Sequence, residues 1–216
     1  MMHRMQAQAG IGLRERKKAE TRLAIERAAV EIACDRGYGA ATAEAIAARA
    51  NVSLRTFFNY FPSKDVAIVG QGLALIDDLQ AGRILEQSGA DLLKGIARVA
   101  EACAAEADPT SELMRRRRRL ILENPPLLHA RVVLDARFDN WLATIVTEYF
   151  RVHPSRRRLM GRATGEEEAR LAVAAVSSAV HYLVQQAIER DIDTDIAAED
   201  IEETIDLMAE IHRKGS

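Results

Sequence analysis

Cysteine is scarce. Cys34 and Cys103 are the only two in 216 residues, too few for a disulfide framework or for a zinc site built from cysteine alone. Both fall in stretches of apolar periodicity, which reads as small buried thiols in a reducing compartment. Proline numbers 5 and glycine 12, so few positions interrupt a helix. Aromatic residues make up 5%. No apolar run approaches the roughly 18 residues that a membrane-spanning helix requires, so no membrane partner is expected. The stretch Met1 to Gly12 has neither an apolar h-region nor a small-residue cleavage pattern. It reads as a mobile arm rather than a signal peptide, and the cytoplasm is the expected compartment. Catalytic constellations are missing too. There is no metal-ligand spacing, no glycine-rich phosphate loop and no nucleophile–base pair. The five histidines are scattered along the chain. Neither an enzyme, a cofactor nor a bound metal is expected.

What is present is an ordinary globular balance, 48% apolar and 29% charged. The length suits one large domain or two smaller ones. Alanine, arginine, glutamate and leucine dominate, which favours an all-α fold. The formal charge of −2 conceals an asymmetry. Residues 1–64 carry 11 Lys/Arg against 6 Asp/Glu, or +5; residues 65–216 carry the remaining 19 against 26, or −7. A basic head (1–64) on an acidic body (65–216) suggests a polyanion-binding module joined to a second function.

The head reads as three helices. From Lys17 to Cys34 the apolar residues Leu23, Ala24, Ala28, Ile32 and Ala33 form a stripe at helical spacing. Gly37 suits its C-terminal cap. Thr42 suits the N-cap of a short helix to Ala50 that buries Ile46 and Ala47. Asn51 suits a left-handed turn residue, and Ser53 caps a third helix, Leu54 to Phe61. Two short helices so joined are a helix-turn-helix signature, whose second helix enters the major groove of DNA. Within the third helix Phe57 and Phe61 are four residues apart and should pack inward. Leu54, Arg55, Thr56 and Asn59 then point elsewhere. Arginine pairs bidentately with guanine and asparagine with adenine. Tyr60 and Lys64 suit phosphate contact.

Residues 37–66, from Gly37 and Tyr38 through Leu54-Arg55-Thr56-Phe57-Phe58-Asn59-Tyr60-Phe61 to Val66, resemble the DNA-binding signature of the tetracycline-repressor (TetR) family of bacterial regulators. The resemblance implies that Thr42 lies near phosphate, that Arg55 and Asn59 read bases, and that Tyr60 and Lys64 hold the backbone. Two positions depart from the family pattern: Asn51 stands where Gly is usual, and Phe58 stands where Tyr is usual. Arg14, Arg16, Lys17, Lys18 and Arg22 either reach backbone or minor groove or form a solvated arm.

The body reads as a helical bundle. A fourth helix is expected from Lys64 to about Gln80, a fifth from Asp91 to Glu106, and a sixth opened by Asp108-Pro109 and stopped by Asn124-Pro125-Pro126. A long helix follows from about Leu127 to Phe150. Thr164 and Glu167 have capping-box spacing and open a helix to about Arg190; Asp195 opens the last. The 170–188 stretch is apolar nearly all round, and the last helix has an apolar stripe with nothing after it to bury it. Together they suggest a homodimer through the last two helices. The helices over 91–150 would enclose a small-molecule effector. Met114, Arg118, His129, Phe138 and Trp141 are its candidate lining, though residues of this kind are more often plain core. The five consecutive arginines Arg115 to Arg119 are either solvated and ion-paired or an anion site. The stretch Leu120 to Phe138 is loosely similar to body domains of actinobacterial family members that bind acyl-CoA-like ligands. The resulting expectation is a ligand-responsive regulator, most simply a repressor on a palindromic double-stranded DNA operator, whose ligand shifts the fourth helix. A DNA-binding activator and a helical protein adaptor remain open alternatives.

Overall fold

The computed structural model describes residues 2–70, 72, 75–105, 112–190 and 196–213. The described residues are helical, with no strand among them. The helices are α1 Met2–Arg36, α2 Ala43–Arg49, α3 Leu54–Tyr60, α4 Lys64–Val69, α5 Asp78–Gln87, α6 Leu92–Ala105, α7 Glu112–Glu123, α8 Pro125–Val152, α9 Gly165–Glu189 and α10 Ala198–Arg213. Short 3₁₀ turns span Tyr38–Ala40 and Pro154–Arg156. The all-α class and the helix-turn-helix head followed by a helical C-terminal domain are as the sequence leads one to expect. The chain forms two compact units. One is Met1–Gln71 together with Arg116–Arg131; the other is Gly72–Arg115 together with Val132–Ser216. The first therefore extends past residue 64 and takes in the end of α7 and the start of α8.

In the first unit α1 packs on α2 and α4, and α2 packs on α3. Ile25, Ala29, Val30, Ile46, Phe57, Phe61, Ile68 and Leu127 are almost wholly buried there. Each large apolar side chain so buried contributes about 1.5–3 kcal/mol. Glu26 shares this interior side of α1 and is 9% exposed. Its carboxylate accepts a hydrogen bond from Arg117 at 2.8 Å, and the two side chains keep only 12% and 8% of their surface in solvent. Arg116 donates to Asp35 nearer the end of α1.

Three sequence expectations change. The arm is helical: α1 starts at Met2 rather than near Lys17, since the stretch contains no proline and its alanine, glutamine and arginine residues favour helix. The single helix expected over 64–80 is broken. α4 ends at Val69, and Gly70 follows at φ 80° and ψ −168°, a conformation open in practice only to glycine. A Cβ at Gly70 would also stand 2.7 Å from Arg117 Nη1, so the Glu26–Arg117 pair occupies the space a side chain would need. Gly72 is at φ 75°, and Asp77 then caps a separate helix, accepting from the Gln80 N–H at 2.9 Å. Third, α8 starts at Pro125 and runs to Val152; proline suits a first helical position because its missing N–H would have no partner. The segment between α8 and α9 is tied down by Glu168. This buried carboxylate accepts from Arg157 Nε at 3.2 Å and from the Leu159 N–H at 3.1 Å. The helix starts expected at Asp108-Pro109 and at Asp195 lie outside the described residues.

The second unit packs α6 against α5, α9 and α10, and α9 against α10. Leu85, Ile96, Val99, Cys103, Leu142, Val146, Val173, Val176 and Ile201 form its core. Cys103 is buried and Cys34 half-buried. The capping box opening α9 is formed: Glu167 N–H donates to Thr164 Oγ1 at 3.2 Å, and Thr164 N–H donates to Glu167 Oε2 at 2.7 Å. That backbone N–H holds the Glu167 carboxyl below its ordinary range.

Glu26→Ala should destabilise the protein by about 3 kcal/mol, because it removes the carboxylate that the buried Arg117 meets in the interior. Glu26→Leu combined with Arg117→Met should recover most of that loss. Denaturant midpoints of the three variants check both expectations.

Candidate nucleic-acid interface

The head exposes a reading surface because its two short helices are pinned from below and capped at their starts. Thr42 Oγ1 accepts the Ala45 N–H at 3.2 Å, and Ser53 Oγ accepts the Thr56 N–H at 3.0 Å. The Ser53 and Thr56 hydroxyls also share a hydrogen bond of 2.8 Å. Each cap satisfies an amide that a short helix would otherwise leave open. Between the helices Asn51 sits at φ 54°, the left-handed turn that asparagine tolerates better than most residues. Arg49 binds Glu31 through Nε and Nη2, at 2.9 and 2.6 Å, tying α2 to α1.

α3 then divides its seven residues. Phe57 is fully buried and Phe61, at the C-cap, is 1% exposed. Leu54, Arg55, Phe58 and Asn59 are exposed, and Thr56 and Tyr60 are half-buried. Phe58 meets Phe57 edge-on, with centroids 5.2 Å apart, yet leaves 52% of its surface free. Arg55 and Asn59, four apart, share the outward face with it.

Lys64 is engaged within the head. Its Nζ donates to the Tyr38 carbonyl at 3.1 Å and lies 3.8 Å from the centre of the Tyr38 ring. The Tyr38 hydroxyl donates to Asp65 Oδ1 at 2.7 Å. Desolvation, reinforced by that carboxylate, pushes the Tyr38 phenol up to about 12, so it stays a neutral donor at any physiological pH. This bracket ties the 3₁₀ turn to the start of α4. Nothing in the local pattern announces it, since its partners are 26 and 27 residues apart.

The expected effector lining is only partly assembled. Phe138 and Trp141 stand together at the margin of the second unit's core, ring centroids 5.7 Å apart. The Trp141 indole N–H donates to Asp78 Oδ1 at 2.9 Å. Met114 is half-buried in the same unit, whereas Arg118 and His129 belong to the first, His129 exposed. The five are divided between the two units. Of the arginine run, Arg116 and Arg117 are bound to α1 through Asp35 and Glu26. Among the described residues no group of three His, Cys, Asp or Glu side chains could hold a metal. No described helix is long and apolar enough to cross a membrane.

Two short capped helices joined by a left-handed turn, the second presenting arginine and asparagine outward, make a helix-turn-helix. Residues 25–66 match the family model of the bacterial regulatory proteins, tetR family. Two crystal structures of NalD, the secondary repressor of the MexAB-OprM multidrug efflux pump in Pseudomonas aeruginosa, share the fold. The native form superposes with a TM-score of 0.56 at 22% identity, covering 87% of this chain and 95% of NalD. The second gives 0.55 at 21%, covering 88% and 95%. Thermus thermophilus FadR, a TetR-family repressor solved with lauroyl-CoA, gives 0.47 at 23% identity, covering 87% of this chain and 93% of FadR. No curated protein matches the chain.

Ser53→Ala should lower stability by about 1 kcal/mol through loss of the α3 cap. Thermal unfolding followed by circular dichroism reads this directly. Ser53→Asp, which can accept the same amide, should restore most of it.

Proposed function

We propose that the protein is a transcriptional repressor that binds a palindromic operator as a homodimer and is released by a small molecule. The observation that carries this reading is the division of α3, with Phe57 and Phe61 in the core and Arg55 and Asn59 exposed on one face. On that face Arg55 would pair with guanine and Asn59 with adenine. Phe58, in place of a phenol, offers apolar contact to a thymine methyl or a sugar. Thr42, Ser53, Leu54, Thr56 and Tyr60 would border the backbone. The Lys64 ammonium, already seated over Tyr38, would act as a fixed positive charge beside it. NalD, which shares the fold, is itself a repressor, and this supports the same direction of control.

A palindromic operator requires two heads about 34–36 Å apart. The last two helices offer a seam. On α9 Leu171 and Tyr182 are 59% and 49% exposed, and on α10 Leu207 and Ile211 are 57% and 77% exposed. Ile205 faces its own unit's core instead. The effector would sit in the second unit near Phe138 and Trp141. An acyl-CoA-like ligand rests on the likeness of residues 120–138; its anionic end would need groups other than Arg116 and Arg117. Whatever its class, the effector must bind the released conformation better than the DNA-bound one. A hundredfold change in occupancy corresponds to about 2.7 kcal/mol of differential affinity.

Arg55→Ala should weaken binding to a duplex selected from a random-sequence pool by about 1–3 kcal/mol and relax preference at one base pair per half-site. Unaltered preference would remove Arg55 from the bases. Leu207→Glu should shift the protein from dimer to monomer in sedimentation velocity. A persistent dimer would put the seam elsewhere.

A further inference from the structure

The second unit carries two surfaces of opposite sign. The first is the segment between α8 and α9, which is held in one shape. The buried Glu168 carboxylate accepts from Arg157 Nε at 3.2 Å and from the Arg158 and Leu159 N–H groups at 2.5 and 3.1 Å. Arg157 also donates to the Ala163 carbonyl. These bonds occupy Arg157 and leave Arg156, Arg158 and Arg162 exposed. Arg158 Nη2 donates to the Ala90 carbonyl at 3.3 Å. No carboxylate pairs with Arg156, Arg158 or Arg162 among the described residues. Met160, 63% exposed, stands among them.

The second surface is on α10, whose 16 residues include six acids and one arginine, the last residue. Two of the acids are used locally. Glu202 is half-buried and pairs with Lys94 of α6 at 3.0 Å, and Asp200 accepts the Ala197 N–H at 3.0 Å. Glu199, Glu203, Asp206 and Glu210 are exposed and meet no cation among the described residues. Their spacing of four, three and four residues puts them in one row along the helix. Leu207 and Ile211, 57% and 77% exposed, run beside that row. Like charges at this spacing repel, so the face is least stable when nothing positive covers it.

We infer that this face of α10 is covered by the 156–162 segment of a second copy of this chain. A two-fold dimer joins unlike patches of one surface and makes each contact twice. It therefore sets the arginines of each copy against the acidic row of the other, with Met160 near Leu207 and Ile211. Two α10 faces meeting each other alone would oppose carboxylate to carboxylate. The segment is already fixed by Glu168, so it loses little freedom on docking. The inference rests on the dimer reading above and adds to it the part of the partner that neutralises α10.

The test uses the full-length protein, the variants R156E/R162E and E203R/D206R, and an equimolar mixture of the two variants, followed by sedimentation velocity. The substituted side chains are exposed, so the fold should survive, and circular dichroism melts confirm it. The wild-type dimer should weaken as salt rises from about 0.05 to 0.5 M, because the reach of exposed charges shrinks to a few ångström. At low salt each variant should dimerise about tenfold less tightly, since each reversal acts twice across the axis although single exposed pairs are weak. Mixing should restore the wild-type affinity as a heterodimer, in which both contacts again join opposite charges. Pairing within one copy would gain nothing from mixing. Variants that dimerise like the wild type, or a mixture no tighter than its components, would overturn the inference and leave the dimer reading standing. A wild-type chain that sediments as a monomer at every salt concentration would overturn both.

Discussion

Glu26 lies on the side of α1 that the head otherwise fills with Ile25, Ala29 and Ala33, and an ionised carboxylate cannot remain there without a counter-charge. Arg117 supplies it, from a point 91 residues further along the chain. The pair in turn occupies the volume beside Gly70, where any side chain would collide with the guanidinium. Two features of the first unit therefore meet at this pair: the attachment of the end of α7 to α1, and a glycine at position 70 that no side chain could replace without a clash. Such a pair need not stabilise the fold more than apolar residues of the same volume would. Losing one partner should therefore cost more than replacing both, because the Glu26 carboxylate cannot stay in the interior without a counter-charge.

Above this base, the reading surface is held by short-range interactions. α2 and α3 have seven residues each, too few to form helices alone. They persist because each has a hydroxyl cap at its start and buries apolar residues beneath: Ile46 and Ala47 for α2, Phe57 with the following Phe61 for α3. The same burial that fixes α3 orients its other face, since an inward phenylalanine at 57 obliges Arg55 and Asn59 to point away. Stability and recognition thus come from opposite sides of one short helix. The exposed Phe58 departs from that economy, leaving a large apolar ring in solvent where only a ligand or a duplex could cover it.

The head was legible in the sequence because its determinants act over three or four residues. Thr42 and Ser53 cap amides three positions on, Asn51 adopts the turn that its side chain tolerates, and the phenylalanines repeat at helical spacing. The capping box at Thr164 and Glu167 was legible for the same reason. The break at Gly70 was not, because glycine inside an apolar helical pattern is compatible with continuation, and the space beside it is taken by a side chain 47 positions away in the chain. Glu26 left one usable signal, an acid at a core-spaced position of α1. The Tyr38–Lys64–Asp65 bracket left none. The proposed effector site was the least legible, since Phe138 and Trp141 carry the same pattern whether they line a cavity or fill a core.

The contribution of residues 116–131 to the first unit bears on how modular such a chain is. Grafting the first seventy residues onto another body would leave Glu26 and Asp35 facing whatever that body offers in place of Arg117 and Arg116. A working chimera would need to import the donor's two arginines, or neutralise both acids, at the same time. Swapping operator specificity between relatives of this fold is thus an exchange of two separate stretches of gene, and a recombination event confined to one of them would be purged for poor folding before its DNA preference was ever tried.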